Sequence, residues 1–131
     1  MPEDEPKEVP DDCRVFRVVH RDWVKEVDGE ERPSSQAFQN HRDDGLMSVY
    51  VEEDWEDTDL AVENLIKRWG EDYRVCWLRA GDIRELGEKV YRAPNDEFPG
   101  HGAVEHPGSR NRPQGVKSRM AKKAQWYEPG S

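Results

Sequence analysis

The segment from Asp57 to Gly70 constrains the fold of this chain more than any other stretch. Val62, Leu65, Ile66 and Trp69 recur at the i, i+3, i+4, i+7 spacing that places them on one stripe of an α-helix. Asp57 or Thr58 suits the N-cap, Lys67 and Arg68 suit the negative end of the helix dipole, and Gly70 supplies the left-handed residue that stops the helix. Residues 46–51 before it and 73–78 after it are rich in β-branched, aromatic and other apolar side chains, as strands are. A helix held between two strands, in a chain of 131 residues, predicts one α+β domain. It should have a mixed or antiparallel sheet, about three helices and long polar loops.

The same reasoning places a first strand over 13–19, a short helix over 82–86 closed by Gly87, and strands over 89–92 and 101–105. A last helix follows residue 114, with Val116, Met120, Ala121 and Ala124 on one face. Residues 28–44 read as a long loop in which 33–38 is the one packed, extended part, and 107–114 reads as a second polar loop. Residues 1–12 carry six acids against Lys7 and a single aliphatic side chain, Val9. They are expected to form a disordered acidic arm, with the domain over 13–127 and a flexible tail over 128–131.

Charged residues make up 37% of the chain and the hydrophobic set 34%. The core therefore depends on five Trp, four Tyr and three Phe, each able to remove roughly 150–250 Å² from water. A net charge of -9 opposes nonspecific affinity for nucleic acid, because a polyanion is repelled unless positive charge is concentrated locally. The local exception is Arg110, Arg112, Lys117, Arg119, Lys122 and Lys123, read as a basic patch, so nucleic-acid contact is expected only through 110–127. Cys13 and Cys76 are too few for a disulfide framework. With no signal-like N-terminus and no apolar run of membrane length, a cytoplasmic protein without membrane contact is expected.

No complete catalytic constellation is present. The four histidines lack metal-ligand spacing, the acidic run after residue 51 lacks the glycine and alternating ligands of a calcium loop, and no serine sits in a nucleophile elbow. No metal and no cofactor are expected. His101 follows a Phe-Pro-Gly turn that can hold its side chain at the edge of a cleft, and Arg17, Ser35 and Ser48 are the other candidates for a ligand-binding set. An arginine there would grip phosphate through parallel hydrogen bonds.

Trp23, Ser34-Ser35-Gln36-Ala37-Phe38, Leu46-Met47-Ser48-Val49-Tyr50, Arg84-Glu85-Leu86-Gly87 and Phe98-Pro99-Gly100-His101 form a series that resembles a family of small bacterial proteins. No activity comes with that family. Locally, Val15-Phe16-Arg17-Val18 resembles the arginine-bearing first strand of RES-type and other ADP-ribosyltransferase-like domains. That resemblance implies NAD binding, with Arg17 on phosphate, Ser35 or Ser48 as the serine and Glu63 as the acid that stabilises a ribosyl cation. The glycine-rich segment of those domains is absent. The leading expectation is a noncatalytic binding or accessory protein, such as an immunity-, antitoxin- or defence-associated partner of another protein. The rival is a small enzyme or binder acting on NAD or another phosphate-bearing nucleotide.

Overall fold

Strand β1 (Arg14–His20) runs through the middle of a six-stranded sheet in the structure, a computed structural model that describes residues 9–39, 46–93, 100–107 and 112–129. The other strands of that sheet are β4 (Leu46–Val51), β5 (Tyr73–Arg79), β6 (Lys89–Arg92), β7 (His101–Glu105) and β8 (Gln125–Trp126), in the order β6-β7-β4-β1-β5-β8. A separate hairpin holds β2 (Val24–Val27) and β3 (Glu30–Pro33). Every pairing is antiparallel. Three α-helices complete the α+β domain: α1 (Thr58–Trp69), α2 (Ala80–Glu85) and α3 (Gln114–Lys123). Among the described residues no helix is long and apolar enough to cross a membrane.

Side chains alternate across the sheet as the period of two requires. Phe16, Val18, Tyr50 and Val75 share the face packed against Val62 and Leu65 of α1. Val15, Val19, Val49, Val51, Cys76 and Leu78 share the other, covered by Ala37 and Phe38, by Ala80 and Ile83 of α2, and by Met120 and Ala121 of α3. The aromatic residues concentrate on the α1 face, where Phe16 stacks on Trp55 at 5.1 Å and meets Tyr127 edge-on at 5.7 Å. Asp57 caps α1 by accepting from the Leu60 N–H at 3.1 Å, and Gly70 at φ 109° ends it. Only half of the expected stripe is buried. Ile66 is 38% exposed and Trp69 45%, the latter lying against Tyr73.

Three differences from the sequence expectation have physical causes. The long loop over 28–44 contains strand β3, because Asp28 and Gly29 adopt φ of 52° and 83°, the left-handed pair that closes a two-residue hairpin. Within the same stretch, residues 35–38 form a 3-10 turn, Ser35–Phe38, in place of an extended segment; Ala37 and Phe38 are fully buried. Residues 9–12, expected to belong to a disordered acidic arm, make contacts with the domain. Residues 1–8 lie outside the described residues, but Val9 is 1% exposed in the core, the Asp11 carbonyl accepts from the Gly81 N–H at 2.8 Å, and the Asp11 carboxylate meets Arg84 at 2.6 Å. A Cβ added at Gly81 would stand 3.1 Å from Asp11, so the glycine lets this segment lie against α2. The start of the C-terminal tail, residues 128–129, is exposed.

Candidate functional site

The backbone ladder on the two sides of β1 is unequal. Seven residues of β1 pair with β5, but pairing with β4 is confined to Val15↔Val51 and Phe16↔Tyr50. Arg17, the next residue along β1, occupies the split that opens there. Its Nε donates to the Ala37 carbonyl at 2.9 Å and its Nη1 to the Ser48 carbonyl at 2.8 Å. The guanidinium thus takes over, for Ser48, the place of a ladder hydrogen bond. It also joins the 3-10 turn around Ala37 to strand β4 at Ser48.

A guanidinium carries five N–H donors. These two carbonyls use two, so three remain without an acceptor among the described residues. No carboxylate there faces Arg17 either. Burial pulls its pKa down to about 10, against the opposing effect of Cys76 and Tyr50, and the like charge of Arg112 adds to the lowering. Arg17 keeps some exposed surface, and none of its nitrogens is among the buried side-chain atoms left without a partner, so the split reaches solvent at the guanidinium. Cys76, directly opposite on β5, is fully buried, and burial pushes its thiol up to about 12. It is therefore a neutral wall of this site and a poor nucleophile.

The remaining candidates are distributed around the sheet. By register, His101 lies opposite Tyr50 and so projects from the α1 face, whereas Arg17 projects from the other. Tyr50 links the two across the split: it acts on the Arg17 charge, and its ring meets the His101 imidazole edge-on at 5.7 Å. His101 Nδ1 is engaged with the Ala93 carbonyl at 2.7 Å. Ser48 alternates with Met47 and Val49, which places its hydroxyl on the α1 face; only its carbonyl reaches Arg17. Ser35 opens the 3-10 turn on the Arg17 side and accepts from the Gln114 amide at 2.8 Å. Its neighbour Ser34 has a buried hydroxyl with no partner among the described residues. Glu63 is on the outer side of α1, 61% exposed and paired with Lys67 at 3.2 Å. It does not converge with Arg17, Ser35 or His101.

Arg112, expected in the basic patch, is not on the surface. Its side chain is 0% exposed and its Nε binds Glu88 at 2.5 Å, while Nη1 reaches the Phe38 carbonyl at 2.8 Å. The second oxygen of Glu88, also wholly buried, binds His106 Nδ1 at 2.5 Å. Burial requires this arrangement, because an isolated arginine in the core would cost several kcal/mol and a carboxylate offsets that. Sequence reasoning missed Glu88, which carries no motif and simply follows the Gly87 turn. Arg110 lies outside the described residues. Lys117, Arg119, Lys122 and Lys123 are on α3, with Lys117 half-buried and the other three exposed.

Among the described residues no group of three His, Cys, Asp or Glu side chains converges as a metal site would. A groove of about 170 Å³ lies between Glu30–Pro33 and residues 124–126. No family model, curated protein or solved structure matches the chain.

Proposed function

We propose that the protein binds a phosphate-bearing small molecule, a nucleotide such as NAD, at Arg17 in the split between β1 and β4. The observation that carries this reading is a partly buried guanidinium held by two backbone carbonyls, with donors to spare and no carboxylate partner among the described residues. A charge drawn partly out of water without a counter-charge is costly, and strongly perturbed groups in a cleft gather at functional sites. A phosphate offers both the charge and the paired oxygens that arginine recognises. The local resemblance to ADP-ribosyltransferase-like domains gives NAD as the first ligand to test. Binding is the function proposed, and transfer is not, since Glu63 stands in an exposed ion pair on the far side of α1.

The test is thermal unfolding of the full chain with inorganic phosphate, ADP or NAD, repeated on Arg17→Met. A ligand at about 100 times its dissociation constant adds about 2.7 kcal/mol to stability. Stabilisation of the parent that disappears in Arg17→Met supports the site. Absence of any shift, or an equal shift in the variant, removes the reading.

The second reading, a noncatalytic partner of another protein, draws on a different observation: Arg119, Lys122 and Lys123 are exposed on α3 with no ion-pair partner among the described residues.

A further inference from the structure

Among the described residues some cations are ion-paired, Lys67 with Glu63 included, while Arg17, Arg79, Lys89 and Lys117, at scattered positions, and one further set are not. Arg14, Arg21, Arg74, Arg84, Arg92 and Arg112 each stand within ion-pair distance of a carboxylate. Lys25, Arg32, Arg119, Lys122 and Lys123 have no carboxylate partner among the described residues, and they are brought together by one contact. Arg32 Nη2 donates to the Lys122 carbonyl at 2.9 Å, docking the β2–β3 hairpin on the C-terminal end of α3.

Lys25 is directly opposite Arg32 in the hairpin register. Like charges in that position destabilise an antiparallel pair, so an anion lying between them would relieve the hairpin as well as bind to it. On α3, Arg119, Lys122 and Lys123 are related by i, i+3 and i+4 and are all exposed, opposite the buried Met120 and Ala121. Beside them runs the groove between β3 and β8, floored by Trp126, whose ring carries Arg74 at 3.8 Å. Among the described residues β8, two residues long, is the last strand of its sheet and pairs with β5 alone, so its outer side is an edge at which an extended chain could add.

We infer that this face docks an extended acidic segment of a partner protein. Its carboxylates would lie on Lys25, Arg32, Arg119, Lys122 and Lys123, and its backbone would follow the groove along β8. A nucleic acid fits less well. It carries a phosphate at every unit, and the same groove is lined by Glu30 and Glu31, within a chain of net charge -9. A peptide can space its carboxylates to avoid those acids. The site is separate from Arg17, and neither depends on the other.

The experiment measures fluorescence anisotropy of a labelled Glu- and Asp-rich peptide of about 16 residues, against a single-stranded oligonucleotide of equal charge, titrated with the full chain. The variants are Arg119→Glu with Lys122→Glu, the milder Lys122→Gln with Lys123→Gln, and the control Lys89→Glu on the opposite edge strand β6. Thermal melts establish that each is folded. The face is supported by peptide binding that weakens about tenfold or more on charge reversal and several-fold in the milder variant, is unchanged by Lys89→Glu, and falls as salt rises from about 50 to 200 mM. Absence of peptide binding, indifference to both substitutions, or tighter binding of the oligonucleotide overturns it. If charge reversal unfolds the chain, the milder variant decides. Arg17→Met should leave peptide binding unchanged, so this result and the nucleotide result fail separately.

Discussion

Arg112, wholly buried, and Arg17, partly buried, lie on the same side of the sheet, yet their surroundings are opposite. Arg112 ends on a carboxylate as buried as itself, and that carboxylate is held again by His106. Arg17 ends on two backbone carbonyls, with donors to spare and Arg112 adding to its positive field. One charge is neutralised within the fold. The other, among the described residues, is only solvated by dipoles, and that incompleteness separates a packing element from a candidate binding element.

The largest way to test the contrast is to make the first site resemble the second. Glu88→Gln leaves Arg112 buried beside a neutral amide, and a loss of about 3–5 kcal/mol is expected from chemical denaturation. The double variant Glu88→Leu with Arg112→Met removes both charges and should lose less than Glu88→Gln. If the double variant is the less stable one, the pair contributes more than mutual neutralisation. A smaller effect is expected from Arg17→Met. It orphans the Ala37 and Ser48 carbonyls at about 1–2 kcal/mol in total, because removing a partly buried charge offsets part of the lost hydrogen bonding. A loss as large as that of Glu88→Gln would assign Arg17 a purely structural part.

The smallest effect concerns a partly buried pair, Arg14 at 9% and Glu52 at 26% side-chain exposure, that lies between the two extremes. Arg14 binds Glu52 at 2.5 Å, and this bond, aided by Thr58, holds the Glu52 carboxyl below its ordinary range against the opposing effect of burial. A depressed carboxylate pKa gives stability that is present above the unfolded value, near 4.5, and is lost as pH falls through the folded value. Glu52→Gln should therefore cost about 1 kcal/mol at neutral pH, with the gap to the parent closing below about pH 4.5. A gap that is constant from neutral to acid pH would show that the charge of Glu52 is irrelevant.

How much of this was legible depends on how local the cause is. Helix α1 was readable because its spacing, its Asp57 cap and its Gly70 stop all lie within one stretch. The hairpin was harder: Lys25, Glu26, Glu30, Glu31 and Arg32 show none of the apolar alternation that marks a strand, and the remaining clue was the Asp28-Gly29 pair. Its stability comes from contacts far along the chain, such as Trp126 Nε1 donating to the Glu31 carbonyl at 2.9 Å. Arg17 could be singled out from its place in a strand that resembles an arginine-bearing one. Its grouping with His101 and Ser48 needed knowledge of register, which sets them on the opposite face. The Glu88, His106 and Arg112 cluster had no signature, since its members are 18 and 24 residues from Glu88 and meet only after three elements have packed.

The short pairing of β1 with β4 also has a mechanical meaning. It divides the sheet into two three-stranded leaves, β6-β7-β4 and β1-β5-β8, sewn together by a brief stretch of backbone and by the Arg17 side chain. The chain nevertheless passes from leaf to leaf repeatedly, through α1, α2 and α3 among its crossings. Such a seam can breathe but cannot come apart. Amides of β4 before Tyr50 that face β1 should exchange with solvent sooner than those of β1 facing β5, and a molecule bridging Arg17 to the far leaf would act as a stitch.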